Sequence, residues 1–181
     1  MQEPTISRNY AETLVELARR ASDLDGWGGL IDEVAGAIQA DIRLSRFLES
    51  PRVSAERKNE IVAAAFADRL PRPFVRFLQA VIRHRRQHLI PDIAIEYHAI
   101  VDEIQNRVHA SVTVAREPDA TLGQDVAARL SRVLGKTVVP HFVVRPEILG
   151  GTIVRVGDTI MDGSVRRRLS TLRSRMLGTI R

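Results

Sequence analysis

The chain has 181 residues, of which 44% are hydrophobic and 27% charged, a balance typical of a soluble globular protein with a substantial core. It has no cysteine, which excludes disulfides, thiolate catalysis and Cys-ligated metal centres. The formal net charge of +5 favours acidic partners, and an aromatic content of only 4% argues against a base-stacking surface. No apolar run approaches the roughly 18 residues that a membrane span needs. We therefore expect a cytoplasmic protein without direct membrane insertion.

The first hundred or so residues have helical apolar spacing almost throughout. Pro51 ends one predicted helix, and Ser54 can cap the next. The strongest repeat, at i, i+3, i+4, i+7 and i+8, consists of Phe74, Phe77, Leu78, Val81 and Ile82. Pro91 suits the first turn of a last and longer helix. Six helices joined by short loops predict a helical bundle over residues 1–107.

The apolar period changes near residue 108. Alternation typical of a strand begins there, in Val108, Ala110, Val112 and Val114. A helix follows, which Asp119 or Thr121 can cap and which Gly135 can end in the left-handed conformation. A second domain is therefore predicted over residues 108–181.

A second strand, a hairpin and a closing helix complete this domain. Pro140 lies in the β-branched stretch KTVVPHFVVR, and because proline cannot donate to a ladder, we expect an edge strand or a bulge. Gly157 and Asp158, between TIVRV and TIM, predict a two-residue hairpin turn. The apolar residues of the closing helix are Val165, Leu169, Leu172, Met176 and Leu177. The predicted fold is α+β: a six-helix bundle, then a small mixed α/β domain with a β-hairpin and two helices.

Motifs that suggest catalysis do not meet their requirements. The stretch GKT at Gly135 suggests a nucleotide-binding loop, but that loop needs a glycine where Leu130 stands and a strand before it rather than a helix. Ser164, Asp158 and Asp162 fall in a turn and at a helix start, where such residues commonly bond the local backbone. We therefore expect no enzyme activity and no cofactor.

A metal site is the other chemistry that the sequence suggests. His84 and His88 are four residues apart and can share one helix face if the helix continues that far. Arginines crowd the same stretch, and no carboxylate lies nearby in sequence to serve as a third ligand. We therefore expect two surface histidines and no metal.

The closing helix is strongly basic. Arg166, Arg167, Arg168 and Arg173 lie on it, and no acidic residue follows Asp162. Such a run suits nucleic acid or an anionic surface. Without a recognised nucleic-acid-binding fold, a solvated face or one that meets an acidic protein is favoured. A basic nucleic-acid-binding module that uses this helix stays the alternative.

The stretch GGTIVRVGDTIMDGSVRRRL resembles the C-terminal signature of the delta subunit of F-type ATP synthases, a family related to the mitochondrial oligomycin-sensitivity-conferring protein. The signature residues are Gly150, Gly151, Gly157, Asp158, Asp162, Gly163 and Ser164. RNYAETLVELA, FLESPRVSAERK and HLIPDIAIEYHAIVDE also resemble family segments, so the resemblance covers nearly the whole chain. Arg145 departs from the family, which often has an acidic residue there.

The resemblance implies a non-catalytic stator subunit, one copy per complex, that resists rotor torque during proton-driven ATP synthesis. It implies that the helical domain binds the N-terminal segments of the alpha subunits of the catalytic head. The C-terminal domain would contact subunit b of the peripheral stalk. The expected location is the cytoplasmic face of the bacterial membrane, reached through the complex.

The resemblance also places candidate interface residues on this chain. Those for the alpha subunits lie on the first and fifth helices or close by: Tyr10, Ala11, Leu14, Trp27, Phe77, Ala80 and Val81. Each also suits the core, and burial is the favoured role for Phe77 and Val81. For the stalk, we hypothesise that Arg166, Arg167, Arg168 and Arg173 meet acidic residues of subunit b.

Overall fold

The computed structural model describes residues 3–66 and 69–178. The chain divides into two compact units, Met1–Glu103 and Ile104–Arg181, whereas the sequence places the boundary after residue 107. Helices make up the first unit, and the second combines a four-stranded mixed sheet with helices. The predicted α+β class is confirmed.

The first unit consists of helices connected by short loops. They are α1 (Glu3–Arg20), α2 (Leu24–Ala40), α3 (Ile42–Glu49), α4 (Ala55–Phe66), α5 (Arg72–Arg83) and α6 (Ile90–Ile104). A short 3-10 helix, Gln87–Leu89, precedes α6. Ser54 accepts a hydrogen bond from the Arg57 N–H at 3.2 Å, which is the capping role that the sequence predicts. Such a cap stabilises the start of a helix, since the first backbone N–H groups of a helix have no partner within it.

Aromatic side chains organise the core of this unit. Phe74 is fully buried, and its ring meets the ring of Trp27 edge-on, with centroids 5.6 Å apart. Tyr97 is fully buried as well, and its hydroxyl donates to the Leu24 carbonyl at 2.7 Å. Not every apolar residue is inside: Ile42, at the start of α3, is 65% exposed.

Two buried polar side chains donate hydrogen bonds to backbone carbonyls at the end of α3. Lys58 is 5% exposed, and its Nζ donates to the Ser50 carbonyl at 2.8 Å. Gln87 donates from Nε2 to the Leu48 carbonyl at 2.7 Å. Burial lowers the pKa of Lys58, and the nearby Arg85 lowers it further. These bonds satisfy carbonyls at the end of α3 that the helix itself leaves unpaired.

Tyr97 should make the protein sensitive to alkali. Burial, and then the carboxylates of Asp25 and Asp23, raise the pKa of Tyr97 well above its usual value of about 10. The folded chain therefore keeps this proton above pH 10 while the unfolded chain loses it, so stability falls as the pH rises. We expect Tyr97→Phe to cost about 1 kcal/mol at neutral pH, through the lost hydrogen bond, and to lose less stability than the wild type between pH 9 and 11.

Urea midpoints measured from pH 7 to 11 test this prediction. Tyr10→Phe is the matched control, since it also removes one phenol but from a half-buried position. A pH dependence of Tyr97→Phe that runs parallel to that of the wild type contradicts the assignment.

The second unit begins with two strands joined through a helix. Its elements are β1 (Arg107–Val114), α7 (Ala120–Leu134), β2 (Thr137–Val144), β3 (Thr152–Val156), β4 (Thr159–Asp162) and α8 (Val165–Met176). The strand order is β2-β1-β3-β4, with β1 and β2 parallel and the other pairs antiparallel. Pro140 lies in β2, an edge strand, as predicted. Gly135 ends α7 with a φ of 66°, also as predicted.

The two faces of this sheet differ in composition. One face packs against α7 through a small core of Ala110, Val112, Val114, Val138 and Val154, with Val126, Leu130 and Leu134 from the helix side. The opposite face carries polar side chains, among them Thr113 and the pair His109 and His141, whose ring nitrogens are 2.8 Å apart. Only one face of the sheet is thus built as a hydrophobic core.

Candidate partner-binding surfaces

Most of the candidate contacts for the alpha subunits lie below the surface of the first unit. Ala11, Leu14, Trp27, Phe77 and Val81 are at most 5% exposed and belong to the core. Tyr10 and Ala80 are half-buried. Of the seven residues, these two are the ones that a partner reaches without rearrangement.

Tyr10 marks a seam between α1 and α5. Its ring meets that of Phe77 edge-on at 6.3 Å, so it bridges the two helices. The Arg86 guanidinium lies 5.7 Å from the centre of the same ring, within the range of a cation–π contact. Trp27 is part of the core through Phe74, the neighbour of Phe77. Trp27 can therefore report on changes at Tyr10 through two intervening aromatic side chains, Phe74 and Phe77.

Hydrogen bonds explain the Asp-Gly-Ser part of the signature. The Asp162 carboxylate accepts from the Ser164 N–H at 2.9 Å, and Ser164 Oγ accepts from the Arg167 N–H at 3.2 Å. The Ser164 N–H and hydroxyl, and then Arg167, lower the pKa of Asp162. Gly163 donates to the Thr152 carbonyl at 2.9 Å. These residues cap α8 and connect it to β3, which is a structural role.

The glycines of the signature allow close approach and a tight turn. Gly151 has a φ of 78°, and a Cβ there would lie 2.5 Å from the Gly163 carbonyl oxygen. Gly157 has a φ of 56° and opens the hairpin turn that Asp158 completes between β3 and β4. The Gly150 carbonyl accepts the Val165 N–H at 2.9 Å. The paired glycines thus bring the start of β3 against the start of α8.

Helix α8 exposes the apolar residues by which the sequence predicts it. We call Val165, Leu169, Leu172 and Met176 the apolar stripe; their exposed fractions are 38%, 52%, 53% and 86%. Their spacing of four, three and four residues places them on one face, as in the seam of a coiled coil. No residue along the described length of α8 is buried. Among the described residues of the second unit, none buries this face of α8.

Other residues of the same helix line a cleft of about 470 Å³. Arg166, Arg167, Ser170 and Thr171 form one wall, and Arg145 lies on another. We call this the arginine cleft. Arg168 and Arg173, the other two candidates for the stalk, do not line it. The structure thus separates the four arginines that the sequence treats as one group.

His84 and His88 are both exposed, as expected from the sequence. Helix α5 ends at Arg83, so His84 and His88 do not share a helix face. In residues 3–66 and 69–178, no group of three or more His, Asp or Glu side chains could hold a metal ion. The closer pair, His109 and His141, was missed because it depends on the parallel register of β1 and β2.

Comparison with known proteins identifies the family. The family described as "ATP synthase delta (OSCP) subunit" matches residues 6–176. The chain is a member of the ATP synthase delta (OSCP) subunit family. Within this family, it is 55% identical over 179 residues to the ATP synthase subunit delta of Gemmatimonas aurantiaca, covering 99% of this chain and 97% of that one. It is 34% identical to that of Desulforamulus reducens over 172 residues, or 95% of each chain.

A solved structure shows the same fold at low sequence identity. One chain of the cryo-EM structure of the Toxoplasma gondii mitochondrial ATP synthase hexamer matches with a TM-score of 0.61 and 18% identity. The match covers 94% of this chain and 97% of that one. As a member of the ATP synthase delta (OSCP) subunit family, the chain is a stator component of an F-type ATP synthase. None of its described helices has the length and apolar character of a membrane span.

Proposed function

We propose that the chain links the catalytic head of a bacterial F-type ATP synthase to its peripheral stalk and does no catalysis itself. Its helices α1 to α6 form a bundle that binds N-terminal segments of the alpha subunits, and residues 108–181 contact subunit b. One copy serves each complex, at the cytoplasmic face of the membrane. The observation that carries this proposal is the apolar stripe of α8, which is exposed on a helix without buried residues.

The chemistry of the stripe suits a partner helix. Four apolar side chains at heptad-like spacing accept the side chains of a second amphipathic helix. Removing apolar surface from water stabilises a complex by about 25 cal/mol per Å², so covering the exposed stripe favours binding. Arg168 and Arg173 lie on the same exposed helix, so acidic residues beside the apolar face of the partner would add electrostatic complementarity.

Replacing Leu169 and Leu172 by glutamine tests the stalk contact. Glutamine keeps helix propensity and adds no charge, so the change removes only apolar contact area. We expect the dissociation constant for the soluble part of subunit b to rise at least tenfold, measured by calorimetry. Val133→Gln is the control, because Val133 is 75% exposed but lies on α7. Equal affinities for the wild type and the double variant would rule out the stripe as the contact.

The α1–α5 seam is the proposed contact for the alpha subunits. Tyr10 and Ala80 offer the accessible surface, and the other candidates, Ala11, Leu14, Trp27, Phe77 and Val81, belong to the core of the same unit. A short apolar helix laid along the seam would bury the exposed part of the Tyr10 ring, and a few such anchors dominate helix-in-groove binding. Attachment at two ends raises the effective concentration of each contact, which suits a component that must resist torque.

A titration with a synthetic peptide of the alpha subunit's N-terminal segment tests the seam. We expect a saturable change in Trp27 emission and an affinity at least tenfold lower for Ala80→Glu, because a carboxylate would be desolvated under the peptide. Ala64→Glu is the control, since it places the same charge at an exposed position of α4. Calorimetry provides the readout if Trp27 is silent. Binding that Ala80→Glu leaves unchanged would move the head contact to another surface.

A further inference from the structure

The arginine cleft provides a second and chemically different surface on the proposed stalk-binding domain. It lies between the end of the sheet at Thr113 and Ile153, the 3-10 turn at Pro146–Ile148, and one face of α8. Arg145, Arg166 and Arg167 all line it. Three arginines from two separate segments of the chain therefore line one cleft of about 470 Å³.

The charged residues that line the cleft leave its three arginines able to bind an acidic ligand. Among the described residues, none of the three arginines has a carboxylate within ion-pair distance, which is 4.0 Å or less. The cleft also contains Glu147 and Asp162. Asp162 is already engaged by the Ser164 N–H, so one of the two carboxylates serves the cap of α8. Cations are thus in excess, and Arg presents paired donors that match the geometry of a carboxylate.

The cleft and the apolar stripe lie on nearly opposite sides of α8. At 100° per residue, Arg166, Arg167, Ser170 and Thr171 are centred roughly 160° around the helix from the stripe. A single straight partner helix that covers the stripe therefore cannot also fill the cleft. The hydroxyl of Ser170 adds a polar donor to the wall formed by the arginines.

We propose that the arginine cleft binds the carboxylate side chains of an acidic, extended segment of the stalk partner, separate from the helix that covers the apolar stripe. This inference rests on the proposed function and extends it. It divides the candidate arginines into two classes: Arg166 and Arg167 act in the cleft together with Arg145, whereas Arg168 and Arg173 act outside it.

The test compares two sets of arginine variants in the full chain. The cleft variant carries Arg145→Gln, Arg166→Gln and Arg167→Gln, and the control carries Arg129→Gln and Arg132→Gln, two exposed arginines of α7 outside the stripe and the cleft. We expect the cleft variant to bind the soluble part of subunit b at least tenfold more weakly, with a smaller dependence on salt, and the control to change by less than threefold. Matching near-UV circular dichroism shows that each variant is folded, and a double variant, Arg166→Lys with Arg167→Lys, checks that retained charge preserves part of the affinity.

The other outcomes contradict either the cleft alone or the proposed function as a whole. Unchanged affinity of the cleft variant, or equal losses per arginine in both sets, overturns the cleft while the stripe and the proposed function stand. Failure of the wild-type chain to bind subunit b overturns the proposed function and the inference with it. A separate titration of the free chain uses acetylated tetraglutamate and inorganic pyrophosphate as probes. We expect tetraglutamate to shift the NMR resonances of the cleft residues in a saturable way. Shifts caused by pyrophosphate alone would contradict a carboxylate site.

Discussion

Replacing Phe74 by alanine is expected to lower the free energy of unfolding of the first unit by about 3–5 kcal/mol. Phe74 is fully buried, and it contacts the rings of both Trp27 and Phe77. Alanine would remove these contacts and leave a cavity that helices on several sides cannot all close. Because Phe77 supports Tyr10, the damage would extend to the α1–α5 seam.

Urea unfolding followed by Trp27 emission and by circular dichroism measures this loss. Phe47→Ala is the control, because Phe47 is half-buried on α3 and its truncation should cost markedly less. A loss below about 1 kcal/mol for Phe74→Ala would mean that the core collapses around the cavity, contrary to the tight packing expected of protein interiors. We also expect weaker binding of the alpha-subunit peptide under conditions in which the variant is still folded.

The second large effect is expected for Gly151→Ala, which should destabilise the second unit by about 3 kcal/mol or more. A left-handed φ costs a non-glycine residue on the order of 1 kcal/mol. The new Cβ would also lie 2.5 Å from the Gly163 carbonyl oxygen and 3.2 Å from the Ser164 Cα. Both obstacles are backbone atoms, so the start of α8 must move away from β3 for the Cβ to fit.

Gly157→Ala separates the cost of the left-handed φ from the cost of the clash with backbone atoms. Gly157 has a similar φ, 56°, but no atom lies within 4 Å of its Cβ position, so only the cost of about 1 kcal/mol is expected. Hydrogen exchange measures the difference locally: Gly151→Ala should increase exchange in β3 and at the start of α8, whereas Gly157→Ala should not. Equal losses in the two variants would contradict a backbone clash at Gly151.

These two substitutions affect the two proposed attachments separately. Phe74 supports the seam proposed for the alpha subunits, and Gly151 supports the helix that carries the apolar stripe and one wall of the arginine cleft. Loss of binding to one partner without the other is therefore the expected result for each variant. Such a pattern is what a linking subunit with two independent contacts requires.

Local chemistry made several elements predictable from sequence. Ser54 and Ser164 cap helices, Gly135 ends one, and Pro140 lies in an edge strand, because each role depends on the residue type and its nearest neighbours. The Gly157 turn follows for the same reason. Apolar periodicity also located the helices and strands, since 3.6-residue and 2-residue repeats record which face is buried.

Periodicity alone did not show what covers each apolar face. The stripe on α8 has the same spacing as a core-facing helix, but in this chain it is exposed, and the covering surface belongs to another molecule under our proposal. Conversely, Leu14 and Trp27 were candidates for a partner contact, yet they lie in the core. A helical repeat defines one apolar face, but it does not state whether that face meets the same chain or a partner.

The sequence by itself determined the α+β class, the caps and turns, and the family, because these depend on residue type, short-range spacing and a signature of neighbouring residues. Only the tertiary structure decided that Arg145 meets Arg166 and Arg167 in one cleft while Arg168 lies outside it. It also decided that Gly151 approaches the Gly163 carbonyl and that the His109 and His141 rings meet. The physical reason is that these contacts join separate segments, and their distances follow from the register of the sheet and the placement of α8 on it.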